Sequence, residues 1–203
     1  MGTEGIDVAW PQGAHYGWHQ WEGKIGFGMC KATEGRTLAD PDFADNWNAM
    51  WELDRMMPRF AYHVLDFSDD PEAQAEFCVA AVKAHGLLPG DNLVLDVSDG
   101  SLSGLTPAAA AALGVRFLHA ANAAAPGHRV LIYTDVAFAL AGGCAGMAAW
   151  YLWLAEYSVT APQVPAPWSA WTFWQRSDNG IDLDAFNGDE AHLLAFCRMP
   201  DKR

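Results

Sequence analysis

Short apolar, β-prone runs alternate with longer helical stretches over about the first 135 residues, and this alternation restricts the fold more than any other feature. The candidate strands are GIDVAW (5–10), KIGFGMCKA (24–32), PRFAYHVL (58–65), NLVLDV (92–97) and HRVLIYT (128–134). The candidate helices are DPDFADNWNAMWELDR (40–55), DDPEAQAEFCVAAVKAHG (69–86) and TPAAAAALGVRFLHAANAAAPG (106–127). Alternation of this kind predicts a parallel sheet assembled from βαβ units.

The pattern changes in the last third of the chain. Three further β-prone runs, 150–157, 169–177 and 181–186, follow one another through short or proline-rich connections with no convincing long helix between them. A closed structure accommodates such strands better than an open sheet. We therefore predict a TIM-like α/β barrel of about five β/α units, closed by shorter and partly antiparallel strands. No repeat or linker marks a boundary, so residues 1–203 are expected to form a single catalytic domain.

Composition restricts the class of partner. The chain is 51% apolar and 18% charged, which is typical of a globular protein, and its net charge is −13. Such a charge repels nucleic-acid phosphates and anionic lipids, so we expect neither nucleic acid nor membrane as a partner. The start MGTEGIDVAW lacks the basic and apolar segments of a signal peptide, and no apolar run reaches the ~18 residues of a membrane span.

Sequence motifs for common cofactors are missing. There is no GxGxxG, P-loop or GxSxG motif, which argues against dinucleotide, nucleotide and α/β-hydrolase chemistry. The seven histidines and four cysteines show no metal-ligand spacing, and we expect the cysteines to be reduced and buried. No cofactor and no metal are therefore expected.

Polar and aromatic side chains collect at the predicted strand ends. They are Asp7, Lys31, Glu34, Tyr62, His63, Asp96, Tyr133, Trp153, Glu156, Tyr157, Gln175, Asp182 and Asp184. Because active sites of β/α barrels lie at the carboxyl ends of the strands, these residues predict a ligand cleft there. Structural alternatives stay open for some of them. Lys31 and Glu34 can pair with each other, and His63 fits a hydrogen-bonded structural role better than that of a base.

Several sequence blocks occur in the order found in glycoside hydrolase family 25. They are GIDVAWPQG, CKATEG followed by DPDFADNW, FAYHVL, LVLDVSDG, VLIYT, LWLAEY, PWSAWTFWQ and IDLDAFNG. Over about residues 5–188 the chain resembles these Chalaropsis-type lysozymes, many of which are phage endolysins. The resemblance implies a β/α barrel and muramidase activity. The substrate would be bacterial peptidoglycan, cleaved at the β-1,4 bond between N-acetylmuramic acid and N-acetylglucosamine.

The resemblance also assigns roles to residues. The family's D-x-E motif follows the fourth strand: its Glu protonates the leaving oxygen, and its Asp orients the substrate's N-acetyl group, which is the internal nucleophile. Asp96 matches the Asp, whereas Ser98 stands where the Glu is expected. Asp7 and Asp182 match acidic residues that shape and charge the site. The expected substrate-binding residues are Tyr62, Tyr133, Trp153, Tyr157, Gln175 and Asp184.

Ser98 leaves the source of the catalytic proton open, because a hydroxyl does not release its proton at useful rates. Asp99 and Glu34 are candidate substitutes, and so are Asp182 and Asp184. In a continuing strand Asp99 faces away from Asp96, so it serves only if the chain turns after Val97. The sequence predicts either an active muramidase with a rearranged acid or a peptidoglycan-binding module that has lost turnover.

The cellular context follows from the same resemblance. With no signal peptide, we expect an endolysin-like protein that is made in the host cytoplasm and released to act outside it, on the cell wall. A net charge of −13 gives no long-range attraction to an anionic wall. We therefore expect an additional wall-binding module in a longer protein, and we expect this domain to be a monomer.

Overall fold

A computed structural model describes residues 2–13, 17–54, 56–98 and 104–199. The strands are β1 (Thr3–Val8), β2 (Phe27–Glu34), β3 (Leu38–Ala39), β4 (Arg59–Val64), β5 (Asn92–Asp96), β6 (Val130–Asp135), β7 (Tyr151–Ala155), β8 (Phe173–Ser177) and β9 (Asp182–Phe186). The helices are α1 (Phe43–Leu53), α2 (Pro71–Ala84), α3 (Pro107–Ala124), α4 (Val136–Phe138), which continues as a π-helical turn over Ala139–Gly143, and α5 (Glu190–Phe196). Short 3₁₀ turns cover Trp10–Gln12 and Trp18–Trp21.

Eight of these strands close into a barrel. Around it they run β1-β9-β8-β7-β6-β5-β4-β2, and pairing of β1 with β2 completes the ring. All neighbours are parallel except β9, which runs antiparallel to both β1 and β8. The short β3 pairs with the end of β2 outside the ring. The predicted TIM-like α/β barrel, closed by shorter and partly antiparallel strands, is confirmed.

Local sequence signals begin the predicted helices. The Asp70 side chain accepts a hydrogen bond from the Ala73 N–H at 2.8 Å, and α2 starts with Pro71. Thr106 caps α3 in the same way through Ala109, at 3.3 Å. Such caps satisfy N–H groups that lack a partner in the first turn. None of the helices in the described ranges is long and apolar enough to cross a membrane.

Helix α5 was not predicted. It has seven residues and begins with a cap from Asp189 to the His192 N–H, at 2.9 Å. A helix this short gives too few apolar repeats to be recognised by periodicity. Its Leu193 and the following Cys197 pack into the interior of the barrel and close its lower end.

Aromatic rings fill the lower half of the barrel. The centroids of Phe27 and Phe60 lie 6.1 Å apart, and Phe173 lies 5.0 Å from each, all edge to face. Gly5 on β1 is required beside them, because a Cβ there would lie 2.3 Å from the Phe27 ring. These rings come from the amino ends of parallel strands. They therefore form an apolar floor beneath the carboxyl ends of the strands.

His63 faces the helices rather than the barrel interior. It is 0% exposed, contacts Thr33 Oγ1 at 2.8 Å and Gln74 Oε1 at 3.1 Å, and stacks on Phe117. Burial lowers the pKa of His63 to about 4, so the ring is neutral near pH 7. Its place in the structure is that of a hydrogen-bonded core residue. The four cysteines are buried free thiols.

A buried ion pair connects β4 with the turn before β5. Arg59 binds both carboxylate oxygens of Asp91, at 2.9 and 2.6 Å, and donates to the carbonyls of Trp47 and Gly86. The Arg59 guanidinium also lies 4.0 Å from the centroid of a Trp47 ring. Burial raises the pKa of Asp91, and the bonds from Arg59 offset part of that effect.

Replacing one member of this pair is expected to be costly. Arg59→Met leaves Asp91 buried without its cation, so the free energy of unfolding should fall by about 3–5 kcal/mol. Arg36→Met is the matched control, because Arg36 pairs with Asp69 at 2.7 Å while its own side chain is 52% exposed. That change should cost less than about 1 kcal/mol. If urea denaturation showed the same loss of unfolding free energy for Arg59→Met and Arg36→Met, burial of the Arg59–Asp91 pair would not make it more important than the exposed pair.

Candidate active site

A cavity of about 190 Å³ opens at the carboxyl ends of the barrel strands. The described residues of its lining are Asp7, Tyr62, Asp96, Tyr133, Trp153, Tyr157, Gln175, Asp178 and Asp182. All of these except Asp178 belong to the predicted strand-end set. Asp178 was missed because it lies in the β8–β9 connection, where strand alternation gives no indication of direction. The cavity is therefore rich in carboxyl groups and phenols and stands on the aromatic floor.

Gln175 organises one wall of this cavity. Its Nε2–H donates to Asp7 Oδ2 at 2.7 Å, and its Oε1 accepts from the hydroxyls of Tyr133 and Tyr157 at 2.7 and 2.6 Å. Burial raises the pKa of Tyr157 to about 12 and also raises the pKa of Tyr133 well above its usual range, so both phenols stay protonated donors. These three hydrogen bonds hold the Gln175 amide in one orientation, with Nε2 toward Asp7 and Oε1 toward the two tyrosines.

Asp184 lies directly behind Asp7. It is 0% exposed, and its Oδ1 accepts the indole N–H of Trp153 at 2.8 Å. Burial, with repulsion from Asp7, raises the pKa of Asp184 well above its usual range. The carboxyls of Asp7 and Asp184 influence each other's pKa, and no N–H or hydroxyl donor within the described residues reaches Asp184 Oδ2. We infer that Asp184 is the protonated member of the pair and that its Oδ2–H is directed toward Asp7.

The structure places Asp184 behind the cavity wall. It was predicted to bind substrate and was a candidate source of the catalytic proton, but it does not line the cavity. Residues i and i+2 of a strand share a face, which is why Asp182 and Asp184 looked equivalent. Since β9 runs antiparallel, Asp182 lies at the rim and Asp184 lies deeper inside the barrel.

Asp7 is held between two neighbours. It is 3% exposed, and burial followed by repulsion from Asp182 raises its pKa to about 7, while bonds from Gln175 and Asp184 lower it. Asp7 therefore changes charge close to neutral pH. Its position is fixed by hydrogen bonds from both sides.

Asp96 ends β5, and Ser98 folds back onto it. The Ser98 N–H donates to Asp96 Oδ1 at 2.9 Å. Burial raises the pKa of Asp96 to about 6, although hydrogen bonds from Ser98 oppose the shift. Ser98 thus supports the Asp96 carboxylate and brings no carboxyl group of its own. Asp99, one candidate substitute acid, lies outside the described residues.

Asp182 faces Asp96 from the other side of the barrel. Their strands, β9 and β5, are four positions apart in either direction around the ring. Burial, then repulsion from Asp178, raises the pKa of Asp182 to about 6. The Asp182 side chain is half-buried, and its carboxylate accepts no hydrogen bond from the described part of the chain. Of the four aspartates among the described residues of the lining, Asp96 and Asp182 therefore lie on opposite walls, each with a pKa of about 6.

Other predicted residues lie elsewhere. Lys31 Nζ bonds Glu34 Oε2 at 2.6 Å, and neither residue lines the cavity, which places the candidate acid Glu34 away from its wall. Glu156 accepts the Gln163 N–H at 2.5 Å outside the lining. Across the described ranges, no group of three histidine, cysteine or acidic side chains is arranged to hold a metal ion.

Asp184→Asn tests the shared proton. The folded chain keeps the Asp184 proton at pH values where the unfolded chain, with a pKa of 3.8, has released it. The free energy of unfolding of the native protein should therefore fall as pH rises from about 4, by up to about 1.4 kcal/mol per pH unit for this proton. Asparagine keeps both hydrogen bonds and has no proton to lose. Asp184→Asn should have a shallower slope and exceed the native stability at pH 8.

Urea denaturation at a series of pH values measures this slope. Asp184→Leu is the control, because it loses both hydrogen bonds and should be less stable than Asp184→Asn at every pH. Parallel curves for native protein and Asp184→Asn would show that Asp184 carries no extra proton.

The family model, a curated relative and two solved structures that this chain resembles come from lysozymes, muramidases or their family. The family model described as Glycosyl hydrolases family 25 matches residues 6–185. Lysozyme M1 of Streptomyces globisporus is 30% identical over 96% of this chain and 71% of its own length. The crystal structure of the bacterial lysozyme from Streptomyces coelicolor superposes with a TM-score of 0.84 at 28% identity, covering 97% of both chains. A muramidase from Trichobolus zukalii gives 0.82 at 26% identity, covering 97% of this chain and 99% of its own.

Proposed function

Since the chain belongs to glycoside hydrolase family 25, we propose that it is a muramidase. Its substrate would be bacterial peptidoglycan, cleaved at the β-1,4 bond between N-acetylmuramic acid and N-acetylglucosamine. Residues 1–203 would form one catalytic domain that acts on the cell wall. The observation that carries the proposal is the pair of opposed carboxyls, Asp96 and Asp182, in a cavity walled by tyrosines.

The chemistry needs a proton donor and a group that stabilises developing positive charge. A carboxyl with a pKa near working pH can donate a proton to the glycosidic oxygen, and a nearby carboxylate stabilises the oxocarbenium-like transition state. Asp182 fits the donor role. It is partly exposed, lies in the cavity, has a pKa near 6 and has no hydrogen bond in the described residues that would hold its proton.

We assign the steps as follows. The Asp182 carboxyl protonates the leaving oxygen as the C–O bond breaks, and the substrate's N-acetyl oxygen attacks the anomeric carbon. Asp96, held by the Ser98 N–H, orients that acetamido group through its N–H. Water then opens the cyclic intermediate and returns one proton to the Asp182 carboxylate. Asp7 adds negative charge beside the anomeric carbon, and Tyr62, Tyr133 and Trp153 provide ring faces and hydroxyls for the sugars.

Ser98 favours a second candidate function. If no carboxyl replaces the family's Glu, the same cavity binds wall glycan without hydrolysing it. The fold and the aromatic residues fit both functions equally well. Only the position and pKa of Asp182 favour turnover.

Asp182→Asn tests the proposed acid. Removal of a general acid should lower the rate of cell-wall clearing by about 10²–10⁴-fold. Because Asp182 must be protonated, the native rate should fall as pH rises above about 6. Asp178→Asn removes the repulsion that raises the pKa of Asp182, so the fall should move to lower pH. Turbidity of purified walls from pH 4 to 8 gives all three results, and native-like clearing by Asp182→Asn would refute the assignment.

Ser98→Glu separates the two candidate functions. In an active muramidase this change supplies the family's second carboxyl and raises an already measurable rate. In a binding module the native protein shows no clearing, and the rate appears only in Ser98→Glu. Sedimentation of the protein with walls, measured alongside, should show binding by the native chain in both cases.

A further inference from the structure

A second cavity, of about 340 Å³, lies at the opposite end of the barrel from the carboxyl cavity. It opens where β6 and β7 begin, because Val130 and Tyr151 are the first residues of these strands. The side chains that matter here are His119, His128, Arg129, Trp150, Tyr151 and Arg198. No aspartate or glutamate is found among the described residues of its lining.

The charge of this cavity is unusual for the protein. Five other basic side chains of the described ranges are paired with carboxylates, whereas Lys83 donates to the Ala124 carbonyl at 2.8 Å. The paired side chains are Lys31, Arg36, Arg59, Arg116 and Arg176. Arg129 and Arg198 form no ion pair within those ranges. In a chain with a net charge of −13, two arginines without an ion pair in the described ranges form a local positive site around one concavity, and two histidines add ring nitrogens beside them.

The two guanidinium groups are fixed by neutral oxygens. Arg129 donates through Nε to the Phe196 carbonyl at 2.6 Å and through Nη1 to Tyr151 Oη at 3.2 Å. Arg198 donates through Nη1 to the Gly127 carbonyl at 3.0 Å. These bonds orient the cations without neutralising them. Their Nη2 groups keep donors for a ligand.

Arg198 also has a backbone conformation that favours glycine. Its φ is +58°, and it follows the end of α5, where the Met199 N–H bonds the Leu194 carbonyl at 2.9 Å. A left-handed residue that ends a helix in this way is most often glycine, because a Cβ is unfavourable there. Arg198 has this unfavourable backbone conformation, and its guanidinium lies beside the cavity.

We propose that this basic cavity binds the phosphodiester groups of an anionic cell-wall polymer. Its donors come from the end of α3, the α3–β6 loop, β7 and the end of α5, so they can surround a tetrahedral oxyanion on several sides. Trp150 and Tyr151 add ring faces for the polyol or sugar between phosphates. An anionic membrane is disfavoured, since the whole surface of a chain at −13 would approach it.

The choice of a wall polymer rests on the proposed function, whereas the phosphate chemistry rests on the cavity. This site would give the domain a wall contact of its own, far from the catalytic cavity. The expected need for a separate wall-binding module would then be reduced.

Titration of the full chain with soluble polyglycerol phosphate, followed by calorimetry, tests the proposal. We expect binding that weakens as salt is added. Arg198→Gly should lower the affinity at least about fivefold while the Tm stays equal or rises, because glycine relieves the left-handed backbone. Arg116→Gln is the control, since it removes the same charge from the exposed pair with Glu72, and its affinity should stay within about twofold of native.

Two further binding measurements identify the chemical class of the ligand. Hyaluronate offers carboxylates and phosphatidylglycerol vesicles offer phosphate on a membrane, and both should bind more weakly than polyglycerol phosphate. No binding of the phosphate polymer, equal losses in both variants, or tighter binding of either alternative would overturn the proposal. None of these measurements depends on turnover, so failure of hydrolysis would be seen separately.

Discussion

The site depends on carboxyl groups that stand on a dry aromatic floor. Phe27, Phe60 and Phe173 fill the barrel below the cavity and exclude water from that side. Burial is the largest cause of the raised pKa of every cavity aspartate whose pKa is shifted. Ionised carboxyls are expensive in such surroundings, so protons stay on the protein at pH values where free aspartate has lost them.

The aspartates of the site reduce the cost of burying ionised carboxyls in different ways. Asp184 holds a proton and serves Asp7 as a neutral donor, much as an amide would. Asp96 takes an N–H from Ser98, and Asp182 is left partly exposed with its proton available. Three similar side chains thus differ in depth and partner, and the proposed assignment of proton transfer to Asp182 rests on those differences. The same reasoning makes Ser98 a support for Asp96.

Much of this arrangement could be predicted from sequence, because strand ends in a barrel converge whatever the details of packing. Alternation along β4–β6 placed Tyr62, Asp96 and Tyr133 at the cavity. Depth could not be predicted, since Asp182 and Asp184 share a face and differ only in distance from the rim. The pairing of Glu34 with Lys31 was among the alternatives predicted. The position of Glu34 outside the cavity depends on the β2–β3 hairpin, and β3 is too short to be recognised from the sequence. The basic cavity joins residues from four separate segments, and no local pattern connects them.

Product analysis tests the central claim most directly. Purified peptidoglycan is digested with the native protein, the new reducing ends are reduced with borohydride, and the fragments are analysed by mass spectrometry. The account predicts muramitol at the new ends, formed by cleavage on the N-acetylmuramic acid side, at a rate that Asp182→Asn lowers by about 10²–10⁴-fold. Glucosaminitol at the new ends, or no new ends from a protein that binds the walls, would contradict it.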